Sequence, residues 1–363
     1  MQKIFSVKNM NPQSIKSFFN KILLDLFLVL KSSKKSIDKI DLDKNSKVLI
    51  IRLGKLEDAL VTTPLISILK EKTNCEITIL ANNRNHFIFS NNPNVYNIIG
   101  FDEDNNEIFK TVKQLNNNNY DVIIDSHIDV SSSVSFIMGL TKAKSKIGFR
   151  KGNEKLYTHL IDRAISFHII DEILLLANHF LFSYSKENIN VEYFSTLEAK
   201  QKAINFIIQN KLDNTKPLVG VNISAGSNDK FWGVERFRDL IKFFEKYDVN
   251  VIILHSLADK EYADQITRSN SVVFPNESFN GFAAMINGLD FLFTPDSSAV
   301  QLAASKQIPI FILYLHKEVA KKWCPYKSPY DCVITEEHSF LRLSYGKTLN
   351  SFIPFFENFY KQY

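Results

Sequence analysis

The stretch KVLIIRLGKLEDALVTTP, Lys47–Pro64, decides how this chain is read. Its first seven residues are apolar but for Lys47 and Arg52, the pattern of a strand buried on both faces of a parallel sheet. Gly54 then turns the chain, and Leu60, Leu65, Ile68 and Leu69 recur at helical spacing. A buried strand feeding a helix opens a βαβ unit.

Working outward, the alternation continues. Glu76–Leu80, Val95–Phe101, Tyr120–Asp125 and Lys146–Phe149 read as strands, and His168–Tyr184 and Leu197–Gln209 as helices. The segment KLDNTKP, Lys211–Pro217, is a polar break ending in proline. After it the pattern restarts, with strands at Leu218–Ile223, Val249–His255, Phe291–Thr294 and Ile308–Tyr314. Helices are expected at Val234–Tyr247, Asp259–Ser269, Ser298–Ser305 and Thr348–Tyr360. The fold class is α/β: two Rossmann-like domains facing a cleft, with an N-terminal amphipathic helix. The expected division is an arm at 1–46, one domain at 47–186, a second at 187–345 and a last helix at 346–363.

Composition agrees. A chain of 363 residues with 45% apolar residues can bury two ordinary cores, and 11 Gly and 10 Pro are too few for a fibrous or linker-rich protein. The cysteines Cys75, Cys324 and Cys332 have no metal-ligand spacing and form no even set, which points to a reducing, cytoplasmic setting. The eight histidines lack zinc spacing. Net charge is +5, yet eight lysines up to Lys39 face only Asp25 and Asp38, so the arm alone carries about +6. A near-neutral body excludes a general nucleic-acid binder.

Within the arm, ILLDLFLVL (Ile22–Leu30) would span about 14 Å as a helix, short of a bilayer core. No small-residue cleavage site follows, so no signal peptide is expected. Ile15, Phe18, Ile22, Leu26 and Leu30 share one helical face, with Phe19, Leu23 and Phe27 beside them and lysines at the flanks. Two readings stand: residues 13–39 lie in the surface of the cytoplasmic membrane, or the helix packs on its own domain.

Three loops carry chemistry. In the first, Glu57 and Asp58 follow the opening strand near a helix start, where an ionised carboxylate is favoured and can serve as a general base. Equally, Asp58 caps the helix, or Thr62 caps it with Pro64 as its first residue. In the second, SAGSNDKFW (Ser224–Trp232), small residues let backbone N–H groups approach an anion and Lys230 can neutralise it; the alternative is a solvated loop with Trp232 as packing anchor. The third, TPDSSAVQLAA (Thr294–Ala304), opens a small-residue helix suited to phosphate, or merely to an Asp or Ser cap. With one glycine in each half's first loop there is no dinucleotide fingerprint, and there is no Walker loop.

Taken together, order and spacing resemble glycosyltransferase family 9, the bacterial heptosyltransferases. Arg52 to Pro64 is similar to that family's Arg-x-Gly-x-x-Gly-Asp signature before a Thr-Thr-Pro helix. Tyr120–His127 with Lys146–Phe149 resembles its middle segment, and Lys230-x-Trp232 with Glu235-Arg-Phe237 its donor-side entry. Asp296-Ser297 resembles its late Asp-Thr-Gly-x-x-His element, ahead of Lys306-Gln-Ile-Pro309. The resemblance covers roughly residues 47–330. This chain departs at Glu57 and Ser298, where glycine is usual, at His255-Ser256, where Gly-Gly is usual, and at Gln301, where histidine is usual.

The resemblance implies a GT-B transferase whose first domain takes the acceptor and whose second takes the donor, with the last helix packing back on the first domain. It implies inverting transfer of a heptose from a nucleotide-sugar, ADP-heptose, to a lipopolysaccharide core or other lipid-linked oligosaccharide. Asp58 is the implied base. Ser224, Gly226, Lys230, Asp259 (near the ribose), Asp296, Ser297, Ser298 and Gln301 (facing the donor phosphates) are the implied donor contacts. No cofactor is required; Mg²⁺ is compatible but not implied, and no metal site is expected. The rival reading is a catalytically weak or inactive paralogue that binds a sugar nucleotide or a partner.

Overall fold

Six parallel strands gather around the opening run. They are β1 (Lys47–Ile51), β2 (Glu76–Asn82), β3 (Asn97–Phe101), β4 (Val122–Asp125), β5 (Ser145–Phe149) and β6 (His159–Ile161), in the order β3-β2-β1-β4-β5-β6. Val48–Ile51 at the centre are wholly buried, which is why the run is apolar without alternation. The computed structural model describes residues 22–102, 107–163 and 168–363.

A second sheet repeats the plan. It holds β7 (Leu218–Asn222), β8 (Asn250–Leu254), β9 (Ser271–Val273), β10 (Phe291–Pro295), β11 (Ile310–Tyr314) and β12 (Tyr330–Ile334), ordered β12-β11-β10-β7-β8-β9. Read from its other edge, this is the same 3-2-1-4-5-6 Rossmann order as the first sheet. All pairings are parallel, with Ile50 opposite Ile124 in one sheet and Phe293 opposite Val221 in the other. In each sheet the order reverses between the first and fourth strands, the place where such sheets bind ligands.

The chain divides into two compact units, the first built mostly from residues before 185 and the second from residues after it. Leu56–Pro64 groups with the second unit, because the one-turn helix Leu56–Leu60 packs against the helix Ser298–Ala304.

Several elements differ from the sequence expectation. The helix expected over His168–Tyr184 is shorter: Ile169–Leu174 is α-helical, Leu175–His179 is a 3-10 turn, and Phe180 then pairs with Ile40. The expectation that residues 346–363 pack back on the first domain is corrected. The helix Tyr345–Gln362 seats its buried Phe352 and Phe356, one turn apart, on a phenylalanine floor in the second sheet. Ring centroids lie 5.2 Å apart for Phe311–Phe352 and for Phe291–Phe356. Each such ring contributes roughly 1.5–3 kcal/mol through burial, which fixes where this helix goes.

In the arm, residues 22–29 are helical; Leu24 is buried, and Phe27 and Leu28 pack on the first unit's core. A Cβ at Gly139 would come within 2.5 Å of the Phe27 ring, so this contact needs glycine there. Residues 36–40 then run along the body, with Ser36 N–H donating to the Thr158 carbonyl at 2.9 Å and Ile40 N–H to that of His179 at 2.7 Å. The packed reading of the helix therefore holds for one of its faces. Phe18 and the arm positions before residue 22 lie outside the described residues. Among the described residues, no helix is long and apolar enough to cross a membrane.

Candidate functional site

At the second unit's switch point, β7 and β10 end side by side at Asn222 and Pro295. The buried Asn222 amide donates to the Ser224 carbonyl at 2.8 Å, Thr294 Oγ1 at 2.9 Å and Ser297 Oγ at 3.3 Å, tying the loops after both strands together. Gly226 turns the first loop with φ of 73°, a left-handed conformation that glycine adopts without strain. Ser297 caps the helix Ser298–Ala304, accepting from Ala299 N–H.

These loops wall a recess of about 320 Å³. Its lining comes from the loop after β7 (Asn222, Ser224, Ala225, Gly226), the loop after β8 (His255, Ser256, Leu257), the segment after β9 (Asn276, Glu277, Ser278, Phe279, Phe282), Ser297, Ser298 and Glu57. Serine hydroxyls and the Asn222 and Asn276 amides share the wall with a larger apolar surface from Ala225, Leu257, Phe279 and Phe282. A small polar ligand with one flat face matches such walls.

The expected site residues fall into distinct positions. Ser224, Gly226, Ser297 and Ser298 line the recess. Asp259 stands just behind it and holds two wall loops: Ser224 Oγ donates to its carboxylate at 2.5 Å and Ser256 Oγ at 2.6 Å. Lys230 lies in a 3-10 turn and its ammonium pairs with the Asp296 carboxylate at 2.6 Å, also reaching the Asp296 carbonyl at 3.2 Å. Trp232 is fully buried with its indole N–H on the Leu343 carbonyl at 3.0 Å, so it is the packing anchor.

Asp58 sits in the first turn of the helix Leu56–Leu60 and is partly exposed; the Thr62 hydroxyl donates to its backbone carbonyl at 2.8 Å. Its neighbour Glu57 lines the recess. Gln301 is placed elsewhere. It is 2% exposed, its amide donates to the Trp323 carbonyl at 3.1 Å, and its Oε1 is buried without a partner among the described residues. The structure does not bring it to the recess wall.

The first unit's switch point is built differently. Asp125 ends β4 with no exposure, and the Lys151 ammonium, also buried, meets it at 2.8 Å. Tyr157 donates to the same carboxylate at 2.6 Å and His127 Nδ1 at 2.8 Å. Its Nε2 lies against the Leu53 backbone, 3.1 Å from the N–H and 2.9 Å from the carbonyl. Burial alone would raise the Asp125 carboxyl, but the Lys151 charge and His127 outweigh it and hold it well below the usual carboxylate range. The same burial, with Asp125 beside it, pushes the Tyr157 hydroxyl well above its usual range. Arg52, first of the signature residues, is likewise buried and donates to the Ser126 carbonyl at 2.9 Å.

Sequence reasoning missed Asn276–Phe279 and Lys151. The former follow a three-residue strand without an apolar run, although Ser278 capping the helix Phe279–Ile286 repeats the signal that marked Ser297. Lys151 is 26 residues from its partner, and only the β4–β5 crossover joins them. Among the described residues, no three His, Cys, Asp or Glu side chains converge as a metal site.

Comparison with known proteins places this architecture. A lipopolysaccharide core heptosyltransferase of Haemophilus influenzae, OpsX, is 21% identical over 281 residues, 74% of this chain and 78% of that protein. A family 9 glycosyltransferase from Veillonella parvula shares the fold with a TM-score of 0.77 at 18% identity, covering 88% of this chain and all of that one. The E. coli heptosyltransferase WaaC, solved with ADP, gives 0.69 at 17% identity over 87% of this chain and all of its own. Two such units in one chain make the GT-B fold, and residues 108–351 match the model of glycosyltransferase family 9 (heptosyltransferase), so the chain is a glycosyltransferase and belongs to that family.

Proposed function

We propose that the protein transfers a heptose, or a closely related sugar, from ADP-heptose to a lipopolysaccharide core or similar lipid-linked acceptor, with inversion at the anomeric carbon. The recess at the end of β7 and β10 carries this reading: Ser224, Gly226, Ser297 and Ser298 converge there from two loops the sequence marked separately. Similarity to OpsX, a lipopolysaccharide core heptosyltransferase, supports the substrate class, and WaaC, a neighbour in fold, was solved with ADP.

In this mechanism Asp58 takes the proton from the acceptor hydroxyl as its oxygen attacks the anomeric carbon. The bond from that carbon to the phosphate oxygen breaks, and the diphosphate leaves with the electron pair. Lys230, the N–H groups near Gly226 and the start of the helix Ser298–Ala304 hold its charge, protein groups serving where a metal ion otherwise could. Free thiols at Cys75, Cys324 and Cys332 support a reducing, cytoplasmic site of action.

The test is a binding screen of purified protein against ADP-heptose and common UDP- and GDP-sugars, followed by transfer to core-oligosaccharide acceptors. ADP-heptose is expected to bind and to be transferred. Asp58→Asn should lower turnover by about 10²–10⁴-fold with donor affinity held. Donor binding without transfer to any core acceptor replaces this reading with that of a non-catalytic paralogue, which the Lys230–Asp296 pair and the inward-turned Gln301 favour.

A further inference from the structure

The helical segment at residues 22–29 has two apolar faces, and among the described residues only one is covered. Leu24 is buried, and Phe27 and Leu28 pack on the first unit's core. Ile22, Leu23, Leu26, Val29 and Leu30 are 40–84% exposed and fall within roughly 120° of arc at 100° per residue. Ile37, further along the arm, is 98% exposed. A continuous apolar stripe of this kind on a soluble surface marks an interaction site.

Charge tells what covers it. Immediately after the stripe, residues 33–40 border a groove of about 790 Å³ against the body. Lys34, Lys35, Lys39, Lys144 and Lys146 line it, against the carboxylate of Asp38. Lys35 is tied to the carbonyls of Glu154 and Tyr157, and Lys144 to Asp121 at 2.7 Å. Lys34 and Lys39 are exposed, and Lys31 stands over the Phe27 ring at 5.0 Å, at the end of the helix. Burial, and after it the charge of Lys31, push the ammonium of Lys146 down to about 8.

We propose that residues 22–39 dock the protein on an anionic lipid bilayer, with the stripe from Ile22 to Leu30 entering the acyl boundary and Lys31, Lys34 and Lys39 meeting lipid phosphates. Apolar insertion beside a basic cluster is the paired signal that stable peripheral binding needs. A second copy of the chain fits less well, because a two-fold contact through this face sets like-charged lysine clusters near each other. A free phosphate satisfies the groove but leaves the apolar stripe in water.

The experiment is flotation of the full chain with vesicles of phosphatidylethanolamine and phosphatidylglycerol, against vesicles of phosphatidylcholine, without donor or acceptor. It reads binding alone, so its failure leaves the transferase reading untouched. Binding to the anionic vesicles is expected, weakening with salt. The triple variant Lys31→Gln, Lys34→Gln, Lys39→Gln should lose about 100-fold in affinity, roughly fivefold for each lysine. Leu26→Asp and Val29→Asp, each at an outward position, should each lose at least about tenfold while the melting temperature holds. Equal binding to phosphatidylcholine, or full binding by both aspartate variants, overturns the proposal. So does a dimer in light scattering that Leu26→Asp dissolves, which assigns the face to a second copy. Tight binding of inorganic phosphate without vesicle binding assigns the groove to a free anion and overturns it too.

Discussion

The two sheets have the same strand order, yet their switch points are furnished in opposite ways. In the first unit the ends of β1 and β4 are closed by Asp125, Lys151, His127 and Tyr157, all bonded to one another or to the strand ends. In the second, the ends of β7 and β10 leave a recess walled by serines, amides and a glycine, with Lys230 and Asp296 paired beside it. Topology supplies the same opening twice; side chains decide whether it is filled with structure or kept for a ligand. Lys151 and Lys230 each meet an aspartate, at 2.8 and 2.6 Å, but Lys151 is 2% exposed and Lys230 27%. Exposure separates their expected roles.

The largest effect should come from breaking the closed side. Lys151→Met strands the Asp125 carboxylate in the interior and should cost about 3–5 kcal/mol in urea unfolding. A loss below about 1 kcal/mol would mean the network is solvated and the contrast is false. Acid offers a second probe of the same network. Because the folded-state pKa of Asp125 is depressed, its stabilisation is present above about pH 4 and is lost as pH falls below that value. Asp125→Asn should therefore flatten the acid limb of a melting-temperature profile, and an unchanged limb would assign acid sensitivity to other carboxylates.

On the open side, Gln301→Ala should cost about 1–3 kcal/mol through its lost bond to the Trp323 carbonyl, with donor affinity unchanged. A fall in affinity at constant stability would return Gln301 to the phosphate site. Smallest in stability is Lys230→Ala, expected within about 1 kcal/mol because its ion pair is partly exposed, while nucleotide-sugar affinity drops about tenfold. Calorimetric titration that finds the affinity intact would move the diphosphate elsewhere.

Central strands were legible because burial on both faces writes an uninterrupted apolar run, as in Val48–Ile51 and Leu218–Val221. Three of the four edge strands were not: β6, β9 and β12 contain His159, Ser271, Tyr330 and Asp331, and two of them have three residues. Missing β9 hid the wall at Asn276–Phe279. Periodicity showed which face of the last helix is apolar, but not that Phe352 and Phe356 would meet the second sheet. Loop residues next to well-read strands, such as Ser224, Gly226 and Ser297, were found; Glu57 was found as a departure, and its place on the wall came only from the fold. The direction of the Gln301 side chain is a packing outcome with no local signature.

One side chain at the recess has an arithmetic of its own. The Asn222 amide carries two protons and faces three acceptors: the Ser224 carbonyl, Thr294 Oγ1 and Ser297 Oγ. Two protons cannot serve all three fully, and the 3.3 Å contact to Ser297, whose Oγ also accepts the Ala299 N–H, is the slackest. A loop that moves away by a bond length frees a proton that its rival takes up at once, so no buried donor is stranded. The junction of β7 and β10 is thus degenerate by construction: either loop can yield to an incoming group, and the other tightens in exchange.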